Sequence, residues 1–277
     1  MKKLIIPNGF DEIEQLKNYY DGIIVGVKDL SINVNLYLTV DEINSINLDK
    51  EVFVAINKNL HNSDLRKLEE TMKSLKNIKG VFYYDAAVVY LYEKLKPSYD
   101  LVWSQEHMTN SSVTCNYWNT KNVNYAYLSG DITLEEILNI KQKTKMKLIV
   151  PIFGYLPMFV SKRHLIKNYL DCFNIKDDSK IYYLEKDEKK YPTLDNELTS
   201  VYSANILASI CAYQELEKNE IDYVTFNAFN IETSKFEEVL KIFSNKSNQK
   251  LEDLFLNIDT GFLYKETYYK VKGDKNE

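Results

Sequence analysis

Apolar positions in this chain gather in short, nearly unbroken runs. They recur at Leu4–Pro7, Gly22–Val27, Glu51–Asn57, Gly80–Asp85, Asp100–Gln105, Asn124–Ser129, Lys147–Phe153 and Ile221–Phe229. A strand covered on both faces reads this way, because neither side of its pleat meets water. Between most of the runs lie stretches with helical spacing. Leu65, Leu68 and Met72 form an i, i+3, i+7 stripe. Thr133, with Glu136 three residues on, writes a capping box that opens another helix. Strand followed by helix, repeated every 20–30 residues or so, is the pattern of stacked βα units.

The pattern predicts an α/β fold: a TIM-barrel-like (β/α) barrel in preference to an open doubly wound sheet. Neither GxGxxG nor GxxxxGK[ST] occurs, which removes the usual nucleotide-binding open sheets. From about Asp171 the order breaks. A charged, tyrosine-rich β excursion is expected near 175–200, with a short strand at Lys180–Leu184. Helix Ala204–Leu216, strand Ile221–Phe229 and helix Ser234–Ile242 then resume the alternation. The expectation is one domain over 1–270 and a polar tail, 271–277, that frays.

Composition narrows the function classes. Lys and Arg total 35 against 40 Asp and Glu, a net charge of −5. That excludes a protein that coats nucleic acid through a general positive field, but leaves room for local patches. Lys162, Arg163 and Lys167 form one such patch, and Lys186, Lys189 and Lys190 another. The three cysteines, Cys115, Cys172 and Cys211, are far apart and form no CxxC pair. No apolar run approaches the roughly 18 residues of a transmembrane helix, and the start lacks a signal-like apolar stretch. A reduced, cytoplasmic protein with no membrane partner is expected.

In a βα barrel the chemistry sits at the C-terminal ends of the strands. That rule selects His61, the Gln105, Glu106, His107 and Asn110 cluster, Ser129 to Asp131, and Phe153 with the following Ser161, Lys162 and Arg163. Glu106 or Asp131 is the expected acid–base group, and His61 lies at the rim. Gln105, Asn110 and Ser161 are expected to contact substrate, and Lys162 with Arg163 to clamp an anion. No GxSxG elbow is present, and no His–Asp partnership follows from spacing. His61, His107 and His164 have unrelated spacings, so no metal is expected. Tyr117 and Trp118 are expected to pack against the barrel wall.

Three stretches carry a family resemblance: Thr109–Trp118, Tyr127–Thr133 and Phe153–Arg163. Val54–Asn57 with His61-Asn62, Ile258–Phe262 and Lys265–Thr267 add to it. Together they resemble the collagenase-like peptidase family U-32, and in particular its short Bacillus-type members. The resemblance implies a TIM-barrel-like fold. It implies two activities: hydroxylation of tRNA wobble uridine to 5-hydroxyuridine, and peptide hydrolysis. It also implies tRNA and a prephenate-type small anionic metabolite as partners, with a second family member or a second copy of the chain. Larger relatives bind a [4Fe–4S] cluster. Here Pro157 and His164 stand at cluster-cysteine positions, so no iron–sulfur cluster and no other cofactor is expected. Gly130 replaces an arginine of the family pattern and Phe153 a histidine. These departures admit a catalytically degenerate binding partner as an alternative.

Overall fold

The computed structural model describes residues 1–196 and 198–265. In chain order its strands are β1 (Lys2–Ile6), β2 (Gly22–Val27), β3 (Tyr37–Leu38), β4 (Glu51–Ile56), β5 (Gly80–Tyr83), β6 (Asp100–Trp103), β7 (Tyr125–Tyr127) and β8 (Lys147–Gly154). They continue with β9 (Pro157–Ser161), β10 (Tyr182–Lys186), β11 (Lys189–Asp195), β12 (Thr199–Tyr202), β13 (Ile206–Ala208), β14 (Tyr223–Asn227) and β15 (Ile258–Asp259). Strands β1, β2, β4, β5, β6, β7, β8 and β14 pair in that order, all in parallel, and β14 hydrogen-bonds both β8 and β1. The sheet therefore closes on itself as an eight-stranded barrel. All eight apolar runs of the sequence are barrel strands.

Two apolar layers hold the barrel. Inside, Leu4, Ile24, Phe53, Phe82, Tyr125, Ile149 and Tyr223 fill the lumen. Phe53 meets Phe82, Tyr125 and Tyr223 edge to face, with centroids 5.7–6.1 Å apart, so the lower half is a packed core and not a pore. Outside, the opposite faces of the same strands pack on the helices. In the helix Leu65–Ser74 Leu68 and Met72 turn inward, and in Leu134–Lys143 Leu134, Ile137 and Ile140 do. Thr133 caps the second of these through the capping box read from the sequence. Cys115 is fully buried beneath the helix Ser112–Asn119. Trp118 of that helix stacks on Trp103 with centroids 4.3 Å apart. Tyr117 does not pack as expected: it is 56% exposed, because it lies on the helix's outer side.

The excursion is larger than the sequence suggested. Strands β9 to β12 form a separate antiparallel sheet, ordered β10-β11-β12-β9, with the helix Leu165–Phe173 on it. The insertion thus begins at Pro157. Its first strand carries apolar residues that stay half exposed, so no burial pattern marked it. The predicted helix at Ala204–Leu216 begins later, at Ile210. Ser209 caps it, and the apolar residues before the cap form strand β13, antiparallel to the end of β8. Among the described residues no helix is long and apolar enough to cross a membrane. The predicted tail 271–277, and Glu266 and Thr267 of the closing motif, lie outside the described residues.

Candidate active site

Alternation along the strands decides which side chains enter the lumen. Phe82 faces in, Tyr83 faces out against Trp103, and Tyr84 faces in again. The same parity carries Ala55 to Asn57, Val102 through Ser104 to Glu106, Tyr125 to Tyr127, and Thr225 to Asn227. These five strands therefore present polar groups to the lumen at their C-terminal ends. The result is a polar ring above an apolar plug, enclosing about 840 Å³ including the part open to solvent.

Glu106 is the charged group inside this ring. Burial pushes its carboxyl above the usual carboxylate range. Hydrogen bonds from the Tyr84 hydroxyl and the Asn33 amide pull the other way, as does His107, while the Asp131 charge raises it further. Asn33 Nδ2 donates to Glu106 Oε1 at 3.4 Å. Burial, with the neighbouring Glu106 charge, holds the Tyr84 phenol well above its ordinary value. Tyr127, whose hydroxyl lies 3.2 Å from that of Thr225, is pushed up to about 12, chiefly by burial. Burial thus keeps both phenols protonated at neutral pH, each with a hydrogen to donate.

The loop after β2 delivers Asn33. Its backbone is left-handed, with φ 54°, which asparagine tolerates better than most residues. Asn57 pins the loop: its Oδ1 accepts from the Ile32 amide at 2.9 Å and its Nδ2 donates to the Ile32 carbonyl at 3.0 Å. Asn33 is 8% exposed, and its Oδ1 is buried without a hydrogen-bond partner. An unpaired buried acceptor costs about 1–3 kcal/mol, and one at the wall of a cavity is available to a ligand. Across the ring, Asn227 Oδ1 accepts from Asn35 Nδ2 at 3.0 Å and from the Phe229 amide at 2.9 Å.

At the rim, His107 Nδ1 lies 2.8 Å from Asp131 Oδ2. This is the His–Asp partnership that spacing did not show, because the two residues follow different strands. Ser129 Oγ accepts from the Asp131 amide, and Ser104 Oγ donates to the Tyr83 carbonyl at 3.1 Å. Both serines are buried and engaged, an arrangement unlike that of an activated nucleophile.

Of the residues selected from the sequence, Glu106, His107 and Asp131 line the cavity together. Gln105 and Asn110 stand outside its lining. The Gln105 carbonyl accepts from the Thr109 hydroxyl, and Asn110 is exposed. His61 is also outside, exposed, and accepts a hydrogen bond from the Lys162 ammonium. Ser161 ends β9, where its hydroxyl accepts from the Arg163 amide. Ser161, Lys162 and Arg163 thus belong to the inserted sheet and its turn, and no lysine or arginine of the described residues lines the cavity. Asn33, Asn57, Tyr84, Tyr127 and Asn227 were not selected. Continuing the strand-end rule to Asn57, Tyr84 and Asn227 would have found three of them, whereas nothing in the sequence marks the loop residue Asn33.

The mouth is not plugged. Phe153 turns into an aromatic cluster with Phe226, Phe236, Phe243 and Phe255, helped by an irregularity in the β8–β14 register beside it. A Cβ on Gly130 would meet Leu156 Cδ1 at 2.9 Å, so Leu156 occupies the space beside the position where the family pattern has arginine. Gly154, at φ 122°, lies against Asn227, with only 2.7 Å for an added Cβ. The cysteines do not fit a cluster's ligand set. Cys115 is buried, Cys172 and Cys211 are exposed on two other helices, and among the described residues no three His, Cys, Asp or Glu could hold a metal ion.

A closed eight-stranded parallel barrel, with a partly buried carboxyl among amides and phenols at the strand ends, defines a βα-barrel protein whose candidate site is the C-terminal mouth. The chain belongs to peptidase family U32, whose family model matches residues 14–259. It is 28% identical over 250 residues to tRNA hydroxylation protein P2 of Bacillus subtilis (strain 168), covering 79% of this chain and 81% of that one. Orotidine 5'-phosphate decarboxylase from Pyrococcus horikoshii OT3 shares the fold alone: the TM-score is 0.50 at 11% identity, over 88% of this chain and 99% of the other.

Proposed function

We propose that this protein acts in tRNA hydroxylation at the 5-position of the wobble uridine, and that the barrel-mouth cavity takes the uracil ring. The observation that carries the reading is the cavity's chemistry. It is lined by amides, phenols and apolar faces around one buried carboxyl, without a cation. Uracil is neutral, flat and edged by two carbonyls and an imide N–H. Asn33 Oδ1, buried and unpaired, is the acceptor that an imide N–H needs, and Phe82 and Tyr127 offer ring faces beside it. A base flipped out of its stack is held in other proteins by this combination of edge hydrogen bonds and apolar stacking.

Glu106 is the acid–base candidate for the proton that C5 sheds when its C–H bond is exchanged for C–OH, a two-electron oxidation whose oxidant and oxygen donor are a co-reactant and not side chains of this cavity. Its raised pKa brings it toward the operating pH, where proton transfer is most effective. Asp131 orients His107, the second proton-carrying group at the rim. A small anionic metabolite fits the interior poorly beside Glu106 and Asp131, so we place it at the rim, toward Lys162 and Arg163. The similarity to tRNA hydroxylation protein P2 supports the substrate class.

The test is mass spectrometry of tRNA nucleosides from a strain lacking the gene. Loss of 5-hydroxyuridine derivatives is expected. Return is expected with the wild-type gene and not with Glu106→Gln. An unchanged nucleoside profile, together with cleavage of a peptide library by the purified protein, would instead establish the peptidase reading.

A further inference from the structure

Beyond the cavity lies a second recess that shares its wall. It is a groove enclosing about 1100 Å³, open solvent included, between the barrel mouth, the start of the inserted sheet and the segment after β15. His107, Asp131, Leu156 and Pro157 line both spaces, so cavity and groove form one continuous cleft. Their chemistry differs. The cavity has two carboxylates and no lysine or arginine, while the groove sets the ammoniums of Lys189 and Lys265 on its far bank against the carboxylates of Asp131 and Asp259. Exposed apolar side chains flank them, Met158 at 52% and Phe262 at 42%.

We infer that this groove binds the phosphodiester backbone and the flanking base of a single-stranded RNA whose uridine occupies the cavity. The inference rests on the proposed function and deepens it. The cleft is graded as a nucleotide is: the neutral base goes inside, where a phosphate would meet Glu106 with no lysine or arginine to offset it, and the anion stays outside, where the lysines are. A free nucleobase would need only the cavity. Apolar platforms beside cations are what a neighbouring stacked base with its phosphate requires.

The groove is built, not incidental. Asp259 organises it, accepting from Asn205 Nδ2 at 3.0 Å and from the Gly261 amide at 2.7 Å. Lys265 approaches the same carboxylate only to 3.7 Å, and Lys189 also faces it. Both ammoniums thus keep donors for a ligand. The hairpin of β10 and β11 separates the neighbouring lysines by parity. Lys189 turns to the groove, whereas Lys190 lies cross-strand from Glu185 and pairs with it at 3.3 Å on the opposite face.

The test is a titration of the full-length protein with a fluorescent single-stranded RNA carrying one central uridine, over a range of salt concentrations. Free uridine is titrated in parallel. The Lys189→Ala/Lys265→Ala double variant should lower the slope of log affinity against log salt by about 1.4, which is two single-strand phosphates, and weaken binding about 25-fold at about 0.1 M salt. Its affinity for free uridine should not change, and Lys190→Ala should behave as wild type. An unchanged slope in the double variant, or an equal loss in Lys190→Ala, would overturn the groove. Failure of the base reading looks different: free uridine does not bind, and a central cytidine serves as well as uridine, while the dependence on Lys189 and Lys265 persists.

Discussion

Glu106 follows a strand whose Leu101, Val102 and Trp103 are buried and apolar, and its ionisation is opposed by the burial that places it there. A carboxyl whose folded pKa is raised favours folding fully while both states are protonated, below its ordinary value of 4.5. That contribution is lost as the pH climbs through the raised folded value. Glu106→Gln keeps an acceptor for Tyr84 and Asn33 and removes the ionisation. The variant should therefore melt above wild type at about pH 7.5 and converge with it near pH 4, while hydroxylation is abolished. Thermal melts across that range check it, and parallel curves at every pH would show that Glu106 ionises without penalty. Glu106 could be read from the sequence because a polar cluster at a strand end is conspicuous. Tyr84 and Asn57 were hidden by the opposite effect: each extends an apolar run, and only the parity of the pleat shows that it faces the lumen.

At the scale of elements, legibility followed burial. The barrel strands are covered on both faces, so their sequences are continuous apolar runs whose ends fall within one or two residues of the structure. Strand β9 lies on a sheet open to water, and its Met158 and Phe159 stay exposed, so its residues read as a loop. The helix Ser112–Asn119 shows how one face is chosen. Trp118 stacks on Trp103 and meets Tyr83 edge-on at 5.7 Å, while Tyr117, its neighbour, points to solvent. Trp118→Ala should cost about 3 kcal/mol, at the lower edge of large aromatic truncations because Trp118 is only partly buried. Tyr117→Ala should stay within about 0.5 kcal/mol of wild type. Urea denaturation of the two variants separates them, and equal losses would mean that the helix packs as the sequence suggested, with both aromatics inward.

For the whole molecule, the question is whether the inserted sheet supports the barrel or only furnishes its mouth. The two ends of the insertion meet. The Ser203 amide donates to the Leu156 carbonyl at 2.8 Å, and Ser203 Oγ accepts from the Leu156 amide at 3.0 Å. Much of what lies between contributes little to the barrel core: the helix Leu165–Phe173 has no buried residue, and most of β10 is exposed. Tyr202 is 1% exposed and stacked on Phe229 at 3.9 Å, and must be kept, whereas Ile181 and Leu194 reach the same core only partly buried. Replacing residues 158–200 by a short Gly-Ser turn should thus leave a chain that melts cooperatively with the barrel's circular dichroism, since closing so short a loop costs little entropy. Free uridine should still bind, because Asn33, Tyr84 and Glu106 all belong to the barrel and its loops. Affinity for the single-stranded RNA should fall, because Lys189 and Met158 leave with the insertion. A chain that no longer folds, despite retaining Tyr202 and every barrel strand, would make the inserted sheet part of the barrel's own stability.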